Sequence, residues 1–289
     1  MLRAMNYRHA FHAGNHADVL KHLVLLAMVD ALKRKDAPFF VLDTHAGRGH
    51  YLLGGAESRK TSEADEGVFK LAGVPRLPEL AERYLRAVQA NNPVGALVAY
   101  PGSPLLVAQA MRAQDRLAAC ELQPEEAAAL KAVFDHDDRV AVHARDGYAA
   151  MKALLPPRAG NQRIARGLVL IDPPYEAQDA EYPAITAALR DALERWPAAT
   201  YAVWYPIKQR RSLLPFFRKM AALPSKGAFV AELQVRPDDS PLRLNGSGML
   251  VINPPWQLDE ALAPVLPVLA ASLGETGASH RLEWLRAAS

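Results

Sequence analysis

The chain has 289 residues, 50% hydrophobic and 22% charged, with a formal net charge of +3. That is ordinary for a soluble globular protein, and enough for one large domain with an insert or for two small ones. The mildly basic balance is compatible with nucleic acid without being diagnostic of it. The single cysteine, Cys120, excludes an internal disulfide and a cysteine-based zinc site, and its apolar neighbours make it a core residue rather than a nucleophile.

The opening residues lack the apolar block of a signal peptide, so a cytoplasmic protein is expected. The longest strongly apolar run, Leu23 to Val29, is too short to cross a bilayer. Asn15 is placed to cap a helix running to about Lys35, with Val19, Leu20, Leu23, Leu26 and Leu32 at helical spacing. A strand over Phe39–Asp43 follows, then a glycine-containing turn, Thr44–Gly49. Residues 51–100 break the pattern, polar at first and then helical from Leu77 to Ala90. They read as an inserted helical subdomain between a first core segment, 1–50, and the remainder of the core, 101–289.

Ser103-Pro104 restarts a helix, with the serine as N-cap. Strands are predicted at Arg116–Glu121, Arg139–His143 and Leu168–Ile171, with helices near Glu125–Phe134, after Tyr148, and at Tyr182–Trp196. Three later strand candidates are Thr200–Tyr205, Ala228–Val235 and Gly248–Asn253. Strands and helices alternating with short connections indicate an α/β fold around a seven-stranded, mostly parallel sheet.

Ligands of such sheets sit beyond the carboxyl ends of the strands. The first four predicted strands each end in, or just before, an acid: Asp43, Glu121, Asp146 and Asp172. Four in succession point to a polar ligand along that edge. The most informative stretch is Asp172-Pro173-Pro174-Tyr175. The prolines stop the strand abruptly. The Asp172 carboxylate and the Pro173 carbonyl then form a pair of acceptors suited to the exocyclic amine of a nucleobase, and the Tyr175 ring is expected to stack on that base. Gly47 and Gly49 allow close backbone approach, but no full Gly-x-Gly-x-x-Gly runs straight into a helix, as a pyrophosphate dinucleotide would need. Glu121 is where a carboxylate holds ribose hydroxyls, Asp146 is a candidate for an adenine amine, and the helix at Ser103 could receive a ligand carboxylate. Ribose, adenine and a carboxylate without phosphates describe S-adenosylmethionine.

A second run, Asn253-Pro254-Pro255-Trp256, follows the seventh strand, which does not lie beside the first in such a sheet. It reads as a decoy. Six of the nine histidines fall in the first fifty residues (His9, His12, His16, His22, His45, His50), but no acidic cluster completes a metal site, so no metal is expected. Arg3, Arg8 and Lys21 favour anion or RNA contact there, and Lys208, Arg210, Arg211, Arg218 and Lys219 form a second basic group.

The block Tyr7 to His22 closely resembles the RlmJ family, bacterial enzymes that methylate N6 of an adenine in 23S ribosomal RNA. The likeness continues at Leu42–Gly47, Tyr100–Pro104, Asp146–Tyr148, Asp172–Tyr175, Trp204–Pro206 and Asn253–Trp256, and is least in 51–100. The resemblance implies a Rossmann-like class I methyltransferase core with a small helical insertion. It implies cofactor contacts at Lys21, His22, His45, Ser103, Glu121, Asp146 with Gly147, and Asp172. It also implies that Tyr7 touches the target adenosine, that 23S ribosomal RNA is the partner, and that neither a membrane nor an obligate protein partner is involved. The competing readings are a DNA adenine-N6 methyltransferase, a non-catalytic cofactor-binding RNA module and a histidine-site metal hydrolase.

Overall fold

The structure is a computed structural model describing residues 12–53, 63–175, 178–241 and 244–288. The Asn15 side chain accepts from the backbone N–H of Ala17 and Asp18 and so caps α1, His16–Lys33, as expected. Nearly all of α1 is buried, including its polar residues His16, Asp18, Lys21 and His22. It lies across the sheet rather than beside it.

The elements after α1 follow in chain order. They are β1 Phe40–Asp43, β2 His50–Leu52, α2 Val68–Ala72, α3 Glu79–Gln89, β3 Ala99–Pro101, α4 Ser103–Ala110, β4 Arg116–Glu121 and α5 Pro124–Val133. Then come β5 Val140–Ala144, α6 Gly147–Leu154, the short hairpin β6 Arg158–Ala159 with β7 Gln162–Arg163, β8 Gly167–Ile171 and α7 Gln178–Arg195. The chain closes with β9 Thr200–Ile207, α8 Leu214–Ala221, β10 Ala228–Gln234, β11 Gly246–Ile252, α9 Leu258–Leu262, α10 Val265–Leu273 and β12 Ser279–Arg286.

The main sheet has eight strands in the order β12-β10-β11-β9-β8-β1-β4-β5. From β9 to β5 all pairings are parallel, while β11 runs antiparallel to both neighbours. The sequence reading gave seven strands; the additional one is β12. Its sequence alternates charged and apolar residues, and the strand is half exposed at the sheet edge. Such a strand carries little hydrophobic signal, and its charges discourage pairing with another chain. Burial alternates along the central strands: Val41, Leu117, Leu168 and Leu170 enter the core on the α1 face, while Leu42, Ala118, Val169 and Ile171 enter the core under α6 and α7. Each such fully buried Leu or Ile contributes about 1.5–3 kcal/mol over an exposed one.

The strands β2 and β3, not anticipated, pair antiparallel and bring the two ends of the segment 51–100 together, His50 opposite Pro101. Between them, Val68, Leu71, Ala81, Tyr84 and Val88 share the core that α1 forms with the sheet.

The parallel run β5-β4-β1-β8 places the ends of all four acid-tipped strands along one edge. Because β11 is antiparallel, its end at Asn253 lies on the opposite edge. There the Asn253 carboxamide donates to the Pro197 and Ala199 carbonyls and accepts from the Lys226 N–H. Asn253→Ala is expected to cost about 2–3 kcal/mol, the loss of a buried group with several hydrogen bonds. Methyl transfer per folded molecule should stay unchanged, with urea unfolding and turnover measured on the same preparation.

Candidate active site

At the carboxyl edge of β1, β4 and β8 lies a cavity of about 230 Å³. Its walls include Lys21, His22, His45, Ser103, Glu121, Asp146, Gly147, Asp172 and Pro173, so residues from six separate stretches of sequence converge. Every cofactor contact that the resemblance implies is on this wall. Tyr7 lies outside the described residues, as do His9, Arg3 and Arg8.

The local chemistry explains why each group is where it is. Glu121 ends β4, and its carboxylate accepts from the N–H of Gly47 at 3.0 Å and of Gln123 at 2.7 Å. Burial raises its pKa even so. A Cβ on Gly47, which has φ +59°, would fall 2.1 Å from the Tyr51 hydroxyl, so the turn after β1 requires glycine. Asp146 caps α6 by accepting from the Ala149 N–H at 2.7 Å. The next residue, Gly147, packs so tightly that a Cβ there would sit 2.2 Å from the Thr44 carbonyl oxygen.

His45 has a defined tautomer. The single Thr44 hydroxyl proton is donated to the Leu170 carbonyl at 2.9 Å, so the 2.8 Å contact between Thr44 Oγ1 and His45 Nδ1 must be donated by the imidazole. That leaves Nε2 as an acceptor. Burial lowers the His45 pKa to about 4, which keeps the ring neutral. Tyr148 lies edge-on to His45 and donates to Glu181 at 2.5 Å, and both Tyr148 and Glu181 line the cavity.

Four expectations are corrected. Ser103 is the first helical residue, and Gly102 is the N-cap of α4. The Ser103 hydroxyl instead donates at 2.6 Å to Asp43, which is fully buried beneath the cavity and whose pKa burial raises to about 6. Tyr175 is not on the cavity wall: with φ +51° it turns its ring into the core against Tyr182 and Trp204, and its hydroxyl donates to the Trp204 carbonyl at 2.6 Å. The ring therefore anchors the loop after β8 instead of lying ready to stack. Lys21, read with Arg3 and Arg8 as favouring anion or RNA contact, instead has its ammonium buried 2.6 Å from Asp172 Oδ2 and 2.7 Å from Asp18 Oδ1. Within the second basic group, Arg210 is engaged by the buried Glu232. The sequence reading also missed Tyr148, Glu181 and Glu126 as wall residues; Tyr148 and Glu181 come together only through the packing of α6 on α7.

The wall is strongly anionic. Glu121, Glu126, Asp146, Asp172 and Glu181 line it, with Lys21 as the one lysine or arginine among its described residues. Glu126 pairs with Arg48 at 2.6 Å and Asp172 with Lys21, which leaves the other three carboxylates of the wall with no ion pair among the described residues. Such a site favours a cationic ligand bearing hydroxyls and amines and disfavours polyphosphates. Cys120, buried in β4, has its thiol pushed up to about 12 and is inert. Among the described residues no three His, Cys, Asp or Glu side chains converge to hold a metal ion.

A five-stranded parallel run with acids at successive strand ends, and a proline-stopped aspartate on an anionic cavity, is the arrangement expected of a Rossmann-like class I methyltransferase. The family model described as "Ribosomal RNA large subunit methyltransferase D, RlmJ" matches residues 36–286. The chain is 41% identical over 283 residues to Ribosomal RNA large subunit methyltransferase J of Haemophilus influenzae, and 40% identical over 282 residues to the Escherichia coli protein of that name. Each alignment covers 97% of this chain and 99% of the relative. A crystal structure of a Legionella pneumophila protein, 34% identical, superposes with a TM-score of 0.85 over 94% of this chain and 98% of that one. This chain belongs to the RlmJ family of methyltransferases.

Two buried histidines make acid stability testable. Burial lowers His16, like His45, to about 4 from the usual 6.5, with Arg236 adding to the effect at His16. A histidine held neutral in the fold stabilises fully above its unfolded pKa, and that contribution is lost as pH falls toward the folded value. For His16, 4% exposed, the contribution is on the order of 3 kcal/mol. Asp43 acts in the opposite sense, since its raised pKa lets the folded state gain a proton below about 6 and offsets part of the loss. The melting temperature is expected to fall between pH 6.5 and 4.5, and His16→Gln is expected to flatten the slope in calorimetric scans.

Proposed function

We propose that this chain transfers a methyl group from S-adenosylmethionine to N6 of a specific adenine in 23S ribosomal RNA, as part of ribosome biogenesis in the cytoplasm. The observation that carries the reading is the placement of the Asp172 carboxylate and Pro173 on the wall of an anionic cavity at the tip of β8. The names of the two relatives support a large-subunit ribosomal RNA substrate.

The residues on the wall suit the cofactor. Glu121, fixed by two backbone N–H groups, presents a carboxylate to ribose hydroxyls. Asp146 and the His45 Nε2 lone pair offer acceptors for the adenine amine and for other donors. Excess negative charge suits a sulfonium. When bound, S-adenosylmethionine supplies the electrophilic methyl group.

The remaining work falls to the protein. The amine of adenine is a poor nucleophile because its lone pair is delocalised into the ring. Accepting its two N–H bonds at Asp172 and the Pro173 carbonyl favours a pyramidal nitrogen with a localised lone pair. The Asp172 charge then stabilises the positive charge that develops on that nitrogen. Holding both reactants in one cavity supplies up to about 7–11 kcal/mol in well-oriented systems. The base must leave its stack, at a cost of a few kcal/mol and less in a loop. No general base with a strongly shifted pKa is required.

Asp172→Ala is expected to lower methyl transfer to RNA by about 10²–10³-fold or more while the circular dichroism spectrum is retained. Turnover near that of the wild type would reject the assignment. Purified RNA should be methylated and DNA of the same sequence should not. Ribosomal RNA from cells lacking the gene should lose one methyl on adenosine by mass spectrometry. Tyr7→Ala is expected to lower activity with cofactor affinity intact, and calorimetry showing lost cofactor binding would argue against a contact with the substrate.

A further inference from the structure

The buried ammonium of Lys21 is shared. Its Nζ lies 2.6 Å from Asp172 Oδ2 and 2.7 Å from Asp18 Oδ1, and the three side chains are 5%, 15% and 3% exposed. Asp18 stands one turn before Lys21 on α1, whereas Asp172 arrives from β8. The second oxygen of Asp18 accepts from the Gly14 N–H at 3.0 Å, which fixes the carboxylate from behind. The second oxygen of Asp172, Oδ1, takes no hydrogen bond among the described residues, and Asp172 is the most exposed of the three, on the cavity wall.

One cation between two buried carboxylates is a competition. With Asp172 as its sole partner, a desolvated ammonium would draw that carboxylate fully into an ion pair and weaken it as an acceptor. A second carboxylate opposite it divides the attraction and fixes where the ammonium sits. It also leaves the group of three with one net negative charge, the sign that stabilises a positive charge developing nearby. Burial alone would lower the Lys21 pKa, yet the two carboxylates hold it well above the ordinary lysine range, so the cation persists throughout.

We propose that Asp18 is a positioning residue for methyl transfer: by sharing Lys21, it sets the place of the Asp172 carboxylate and keeps Oδ1 available to the substrate amine. This rests on the reading of Asp172 as the acceptor of that amine. Asp18 touches neither substrate nor cofactor in this account and acts through Lys21.

The test is Asp18→Asn in the full-length protein. The substitution is isosteric and removes the charge; its one carboxamide oxygen serves either the Gly14 N–H or the Lys21 ammonium, so the folded fraction is checked by circular dichroism. The expected result is a 10- to 100-fold fall in kcat for RNA methylation, with KM for RNA and the calorimetric Kd for S-adenosylmethionine within threefold of wild type and Tm within a few degrees. Unchanged kcat overturns the proposal, as does a loss carried by KM, by cofactor Kd or by Tm. A second measurement places Asp18→Asn in a Lys21→Gln background, with the folded fraction checked by circular dichroism. The further loss there should be less than twofold, and a full additive loss shows that Asp18 acts by another route and overturns the proposal. Asp172→Ala run alongside separates the two readings. An active Asp172→Ala removes the role of Asp172 itself, whereas an inactive Asp172→Ala beside a fully active Asp18→Asn removes only that of Asp18.

Discussion

The buried ion pair between Lys21 and Asp172 joins the first helix to the tip of the fourth parallel strand, and much of the molecule is arranged to permit it. A desolvated ammonium is tolerated only when it is paired and hydrogen-bonded. Here it is paired twice, and the helix that carries it is buried over nearly its whole length by the sheet on one side and by helices including α3 on another. The start of that helix is fixed by the Asn15 cap and by Glu63, which accepts from Asn15 at 2.9 Å and pairs with His12 at 2.8 Å. Glu63, in the segment between β2 and β3, is thus linked through hydrogen bonds and ion pairs with the carboxylate at the centre of the site.

The second organising feature is charge. The strand ends deliver acids in succession, and burial raises the pKa of Glu121 and lifts that of Asp43 to about 6. A cavity of this sign accommodates a cationic cofactor and a neutral base but repels phosphate. Under the proposed function, the RNA backbone stays outside it and an extruded base enters. The same preference disfavours a dinucleotide or nucleoside triphosphate in the same place, in agreement with the lack of a phosphate-binding glycine motif.

Legibility in the sequence followed physical simplicity. The strands Arg116–Glu121 and Leu168–Ile171 were readable because short apolar runs bounded by turn residues have one reasonable conformation in a parallel sheet. The strand at Ser279–Arg286 was not, because an edge strand needs apolar residues on one face only. The cap at Asn15 was readable from local chemistry, while Ser103 was misread. Its hydroxyl turns away from the helix backbone because buried Asp43, sixty positions earlier, needs a donor. Tyr175 was misread for a related reason: a left-handed backbone at its own position sends the ring into the core, where Trp204 offers an acceptor.

The sequence by itself determined the fold class, the edge on which the site lies, the acids that build it and, through the RlmJ resemblance, the family. These follow from local patterns and from motifs that persist along the chain. Only the tertiary structure decided how those groups are paired. It brought Lys21 between Asp18 and Asp172, set the His45 tautomer through Thr44 and Leu170, joined Tyr148 to Glu181, and sent Asn253 to the far edge on an antiparallel strand. Hydrogen bonds and ion pairs act over a few ångströms between residues as far apart as Lys21 and Asp172, separated by 151 positions, and sequence order carries no record of which of them will meet.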